Sequence, residues 1–186
     1  KTGLGVAPVI SVAYAIATLL GIPFSVMTFV YYAFLILVQF LLLQKAFRPI
    51  QWFQIVTSFI TSALIGVFDW VLPVASSPLL RAILLLLAIV LTGIGIILTV
   101  GAELVPNPAD GTARAIAVRT GRSLGFSKNL LDFVSILLSL ALGLVFRRQI
   151  LGVGIGTVVT MLLTGRVVAL LQRPVLHLFL PSNERT

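Results

Sequence analysis

The sequence contains no cysteine, a single histidine and five acidic residues among 186. Without cysteine the chain forms no disulfide and offers no thiol nucleophile, and one histidine cannot build a Cys/His metal site. It also has no H-E-x-x-H motif and no nucleophile elbow. These absences predict a protein that is not an enzyme and that needs no metal and no cofactor.

Charge is scarce along most of the chain, since 10% of the residues are charged and 59% are hydrophobic. The mean hydropathy of +1.17 lies outside the range of ordinary soluble domains. A membrane span needs roughly 20 apolar residues, and in hydrocarbon such stretches must be helical. The sequence therefore predicts an all-α membrane protein, a polytopic helical bundle that forms a single transmembrane domain over residues 1–186.

Two short helices are expected to interrupt the spans, at about 8–20 and about 107–122. A polar tail is predicted for residues 174–186. Five spans are predicted, at about 24–44, 50–72, 79–102, 128–146 and 150–172.

The chain matches itself at a spacing of about one hundred residues. The segments 8–21 and 108–121 share a leading Pro, an A-x-A-I-A core and a closing Gly. We predict two repeats, over 1–73 and 79–173, each built of span, short helix, span and span. Three crossings reverse the direction of the next copy, so the repeats should be inverted. In this register the first span of repeat one is missing, and the complete protein should have six.

Basic residues at the ends of apolar runs account for the net charge of +8. Lys45 and Arg48 flank one loop, and a second loop carries Arg114, Arg119, Arg122 and Lys128. Two spans separate the loops, so both lie on one face, which the positive-inside rule makes cytoplasmic. This arrangement serves topology and predicts no binding to nucleic acid.

Several short runs carry a family resemblance: Leu4-Gly-Val-Ala-Pro8, Lys45-Ala-Phe-Arg-Pro-Ile50, Asn107-Pro108 and Gly152-Val-Gly-Ile-Gly-Thr157. Over essentially the whole chain the sequence resembles the YczE/YitT-type bacterial integral membrane proteins, and it is closer to YczE. The resemblance implies a multi-pass protein of the bacterial cytoplasmic (inner) membrane, with a further hydrophobic helix before the first run. It brings no established activity.

A solute site is predicted where the short helices begin, because free N–H groups and the positive end of a helix dipole attract anionic groups. Interfacial capping and headgroup contact are the alternative for the second of these clusters. The predicted substrate-binding residues are Pro8, Ser11 and Tyr14 in the first repeat and Glu103, Asn107, Asp110 and Arg114 in the second.

Charge within a membrane span is costly and often functional, and the candidates for such a role are Asp69, Asp132 and Arg166. Structural ion pairs, Asp69 with Arg81 and Asp132 with Arg166, are one interpretation. A coupling carboxylate at Asp69, and a gate or substrate contact at Asp132 and Arg166, are the other.

Small residues open the last predicted span: Gly152, Gly154, Gly156 and Thr157. They favour close helix packing, and the alternative is close approach of the backbone to a solute. One of the span tyrosines, Tyr31 or Tyr32, is expected to face a cavity.

The repeat and the paired short helices predict a secondary transporter of a small organic solute, working by alternating access between the inverted repeats. The alternative is a non-transporting membrane partner or regulatory protein that binds through its basic cytoplasmic face. The expected partners are the lipid bilayer and a small-molecule solute, and a homo-oligomer is left open.

Overall fold

The long apolar stretches form helices throughout the computed structural model, which describes residues 2–101 and 104–179. These residues form seven α-helices and two short 3-10 helices, and no strand. The 3-10 helices, Gln44–Ala46 and Pro49–Phe53, follow one another between the second and third α-helices. The α-helices are α1 (Ser11–Leu20), α2 (Phe24–Leu43), α3 (Gln54–Val71), α4 (Pro78–Gly101), α5 (Pro108–Thr120), α6 (Leu124–Arg147) and α7 (Ile155–Phe179).

Four helical segments are long and apolar enough to cross a membrane: Phe24–Ala46, Pro49–Val71, Pro78–Thr99 and Leu124–Arg147. Helix α7 is also apolar, over a shorter length. Large apolar side chains cover the outside, where Trp70 is 87% exposed and Val145 is 73% exposed. Such a surface is stable only against lipid. The predicted all-α, polytopic membrane fold is confirmed.

The two short helices end alike but begin differently. Gly21 and Gly121 close them in the left-handed conformation, with φ of 68° and 67°. Helix α5 begins at Pro108 because Asn107 Oδ1 accepts a hydrogen bond from the Ala109 N–H at 3.0 Å. The prediction that α1 begins near Pro8 was wrong by about one turn. No side chain caps this end, and residues 8–10 form a turn before α1 starts at Ser11.

The last helix extends into the segment that was predicted to be a polar tail. Helix α7 continues through Pro174 to Phe179, so residues 174–179 are helical. The apolar residues that follow Pro174 in the sequence support this extension. Residues 180–186 lie outside the described part of the chain.

Each short helix packs across the molecule onto two long helices. Helix α1 contacts α6 and α2, and α5 contacts α2 and α6. Helix α3 packs on α2, and α4 packs on α7. The hydrophobic core lies between α1 and α2 and includes Val12, Ala13, Met27 and Leu35. This arrangement brings the beginnings of α1 and α5 into the centre of the bundle.

Polar side chains buried in the bundle hold the beginning of α5. The side-chain amides of Gln39 and Gln54 exchange two hydrogen bonds, at 2.9 and 3.0 Å. Nε2 of Gln39 also donates to the Pro108 carbonyl at 3.1 Å. Both glutamines are fully buried, so the network joins α2, α3 and α5 where water cannot replace it.

Replacing Gln39 by leucine should lower the free energy of unfolding by about 2–3 kcal/mol, because the buried Gln54 amide loses its partner. The double variant Gln39→Leu/Gln54→Leu should recover most of this loss, since removing both partners leaves neither amide unsatisfied. Thermal unfolding in detergent measures both variants against Gln149→Leu, which changes an exposed glutamine. A double variant less stable than Gln39→Leu alone would contradict this reading of the network.

Candidate functional site

A cavity of about 310 Å³, with polar and charged side chains in a largely apolar lining, lies where the beginnings of α1 and α5 meet. Residues 7–10, which precede α1, form one side, and Asn107, Ala109 and Asp110 form the opposite side. Helices α2, α4, α6 and α7 complete the wall. The remaining lining residues with polar side chains are Tyr32, Thr92, Thr99, Lys128, Asp132, Thr160 and Thr164.

Helical spacing explains how so many polar groups reach one space. Lys128 and Asp132 lie four residues apart on α6, as do Thr160 and Thr164 on α7. Residues four apart share one face of a helix. Each of these helices therefore turns one polar strip inward while its remaining surface is apolar.

The charged groups of this central cavity are unequally paired. Nζ of Lys128 lies 3.2 Å from Oδ1 of Asp110, with the two side chains 27% and 29% exposed. Asp132 is only 4% exposed. Within the described part of the chain, the one ion pair involving these residues is that between Lys128 and Asp110. Lys128 also attracts the Asp132 carboxylate electrostatically, but among the described residues no cation forms an ion pair with it.

The described residues also line two further cavities. A cavity of about 200 Å³ is lined by Arg114, Leu124 and Gly165, and it shares Asp110 and Lys128 with the central cavity. The Asp110–Lys128 ion pair thus lies in the wall between them. A third cavity, of about 430 Å³, is lined by Tyr14, Asp69 and residues 152–154.

The structure divides the predicted solute-binding residues among different places. Pro8, Asn107 and Asp110 line the central cavity together. Ser11 does not: it is fully buried behind the cavity, where its hydroxyl donates to the Pro8 carbonyl at 2.7 Å. Tyr14 and Arg114 line the third and second cavities. Glu103 lies outside the described residues.

The predicted ion pair between Asp132 and Arg166 was wrong. Arg166 is exposed, whereas Asp132 is buried at the central cavity, one turn from Lys128. The Arg81 guanidinium, expected at Asp69, donates through Nε to the Ala75 carbonyl at 3.0 Å. Spans that are neighbours along the chain therefore did not bring their charged residues together as predicted.

The small residues that open α7 pack tightly, but against an extended segment instead of a helix. The Val6 N–H donates to the Gly152 carbonyl at 2.9 Å, and the Gly156 N–H donates to the Leu4 carbonyl at 2.8 Å. Oγ1 of Thr157 donates to the Val6 carbonyl at 2.7 Å. A Cβ atom at Gly154 would overlap the Leu4 carbonyl oxygen. Two backbone segments thus cross at van der Waals distance.

Sequence reasoning missed several cavity residues. Lys128 was assigned to the basic face, yet it reaches inward to Asp110. The threonines of α4 and α7 were not recognised as cavity-lining residues, although polar residues at helical spacing within an apolar span are a usable signal. Of the two tyrosines in α2, Tyr32 lines the central cavity.

The basic surface of α5 is distinct from this cavity. Arg114, Arg119 and Arg122 are all exposed. The Arg122 guanidinium lies over the Phe126 ring, 5.7 Å from its centroid. These side chains are placed to meet headgroups or solvent.

Comparison with known proteins gives one match. A model described as "Family of unknown function (DUF6198)" matches residues 1–173. No curated protein matches the chain, and no solved structure matches it.

Proposed function

This chain belongs to the DUF6198 family, whose function is unknown. We therefore propose the activity of this protein from the geometry of its candidate site. It is a secondary transporter that moves a small organic solute across the bacterial cytoplasmic membrane. The observation that carries the proposal is the cavity of about 310 Å³ between the beginnings of the two short helices. Broken helices that begin at a central site are typical of such transporters. The resemblance to YczE/YitT-type proteins supports the location.

Equivalent contacts in the two halves support an inverted repeat. The Ser11 hydroxyl lies within hydrogen-bond distance of the Pro8 carbonyl and of the Ser135 carbonyl on α6, at 2.7 and 3.4 Å. The Thr112 hydroxyl likewise lies within hydrogen-bond distance of the Pro108 carbonyl and of the Leu35 carbonyl on α2, at 2.7 and 3.3 Å. Each short helix is therefore tied to the long helix of the other half.

The second and third cavities support alternating access. The second cavity adjoins Arg114 near the basic surface, and the third contains Asp69 and Tyr14. Rocking of one half against the other would connect the central cavity to each in turn. In this scheme the Asp110–Lys128 ion pair closes the route to the second cavity.

The alternative, a non-transporting partner bound through Arg114, Arg119 and Arg122, has less support. Such a protein needs an exposed basic surface, which these residues provide. It does not need a cavity with polar and charged side chains in its centre. The cavity therefore favours transport.

Filling the cavity should stop transport. A Cβ at Gly95 meets no atom within 4 Å, and Gly95 lines the central cavity. Gly95→Leu places an isobutyl group in that space, so uptake should fall about tenfold or more while the protein stays folded. Uptake is measured in proteoliposomes that are given a defined mixture of amino acids, amines, nucleobases and organic acids. Mass spectrometry of the lumen identifies the solutes that enter.

Ala82→Leu, at an exposed position of the same helix, is the matched control and should transport like the wild type. Thermal unfolding of both variants establishes that they fold. The proposal fails if the wild-type protein accumulates none of these solutes above empty liposomes. It fails equally if Gly95→Leu transports as well as Ala82→Leu.

A further inference from the structure

The charges of the described residues that line the central cavity do not balance. These residues include two acidic ones, Asp110 and Asp132, and one basic one, Lys128. The Lys128 ammonium lies 3.2 Å from the Asp110 carboxylate, so these two charges offset each other. With all three groups ionised, one negative charge remains, and it belongs to Asp132.

Asp132 is buried, at 4% exposed, and forms no hydrogen bond or ion pair with the described residues. Lys128, one turn away on α6, attracts the Asp132 carboxylate electrostatically but is paired with Asp110. A buried carboxylate in this condition is destabilising for the protein. Within a membrane span such a group marks a functional site. A cation entering the cavity supplies the missing counter-charge.

The helix end at this cavity does not favour an anion. Asn107 Oδ1 already accepts from the Ala109 N–H at 3.0 Å, and Asp110 lies in the first turn of α5. An acidic residue there interacts favourably with the positive end of the helix dipole. The attraction for anionic groups expected from the sequence is thus satisfied by the protein itself.

Threonine side chains line the same cavity as Asp132. Thr92 lies on α4, and Thr160 and Thr164 lie one turn apart on α7. Oγ1 of Thr164 donates its proton to the Thr160 carbonyl at 2.7 Å, so its lone pairs stay available as acceptors. An alkylammonium group has three N–H donors, which match a carboxylate and nearby hydroxyls. The apolar lining from Val9 and Ile10 suits a short hydrocarbon chain.

We infer that Asp132 binds the ammonium group of the solute, and that this protein takes small organic cations in preference to anions and neutral molecules. The volume of about 310 Å³ has room for about ten non-hydrogen atoms. That is far more space than a bare alkali cation occupies, which favours an organic cation. The inference rests on the proposed transport function, because it identifies the bound cation with the transported solute. Binding at Asp132 can be tested without transport.

Three probes with similar chains and different charge test this inference: 5-aminopentan-1-ol, pentane-1,5-diol and 5-hydroxypentanoate. Binding to the purified full chain in detergent is measured by the rise in melting temperature with ligand concentration. The cationic probe should stabilise the wild-type protein, and the diol and the anion should not. Asp132→Asn should weaken binding of the cation about tenfold or more, because a charge-assisted contact is lost.

Asp69→Asn is the matched control, since Asp69 lines the third cavity and not the central one. It should bind the cationic probe like the wild type. Asp132→Asn keeps the side-chain size and removes a buried charge, so it should fold. A titration with sodium chloride alone, with no amine present, separates an organic cation from an alkali ion.

The inference is overturned if the diol or the anion stabilises the protein as well as the amine. Equal binding by Asp132→Asn and wild type, or stabilisation by sodium alone, also overturns it. The two proposals can fail separately. If the wild-type protein binds the amine but moves no solute in liposomes, the ammonium site stands and the transporter proposal fails. If it transports an anion through the central cavity, the transporter proposal stands and the ammonium site fails.

Discussion

Alanine at Gly154 should largely prevent the protein from accumulating in its folded form. The added Cβ would overlap the Leu4 carbonyl oxygen and lie 2.7 Å from the Leu4 carbonyl carbon and 3.1 Å from the Gly5 nitrogen. These are backbone atoms, so no side chain can rotate away. Overpacking together with loss of the adjacent backbone hydrogen bonds should lower the free energy of unfolding by about 3–5 kcal/mol.

The matched control is Gly165→Ala in α7, the helix that follows Gly154, where an added Cβ meets nothing within 4 Å. It should express and melt like the wild type. Yield of monodisperse protein on size exclusion and melting followed by tryptophan fluorescence measure both variants. If Gly154→Ala and Gly165→Ala melt together, the two backbone segments do not cross as closely as described.

Replacing Lys128 by methionine should also destabilise the protein. The variant leaves the Asp110 and Asp132 carboxylates in one cavity without the cation that Asp110 now contacts at 3.2 Å. Breaking a fully buried ion pair costs about 3–5 kcal/mol. Because these side chains are 27% and 29% exposed, we expect a loss of about 2–3 kcal/mol, with partial solvation reducing the cost.

The double variant Lys128→Met/Asp110→Asn isolates the pair. It should be more stable than Lys128→Met alone, because the carboxylate left unpaired has become neutral. Arg119→Met, which removes an exposed cation, should change stability by less than about 0.5 kcal/mol. Equilibrium unfolding in detergent at constant ionic strength measures these variants together with Asp110→Asn, which completes the double-mutant cycle. Additive losses in the double variant would show that Lys128 and Asp110 do not interact.

The helices could be predicted because a bilayer permits few alternatives. Apolar stretches of span length have to be helical in hydrocarbon, and four such segments are present. Local signals placed most ends of the short helices: Gly21 and Gly121 close them, and Asn107 caps α5. The weak point was Pro8, because a proline without a capping side chain before it does not fix where a helix starts.

The site could be predicted only in part. The sequence placed Pro8, Asn107 and Asp110 at a common centre, and they share one cavity. It could not find the pairing of Lys128 with Asp110, which lie on different helices. A span that is apolar on nearly every side carries little information about which face turns inward. Thr92 and Thr160 were therefore not recognised as lining residues before the helices were assembled.

The sequence by itself determined that the chain is a bundle of membrane-spanning helices with two short interruptions, because hydrocarbon forbids any other backbone arrangement for such stretches. The tertiary structure alone decided which side chains meet. It buried Asp132 at a cavity, exposed Arg166 and set Gly154 against Leu4. Helical periodicity fixes the residues that share a face, but only packing between helices fixes what that face contacts.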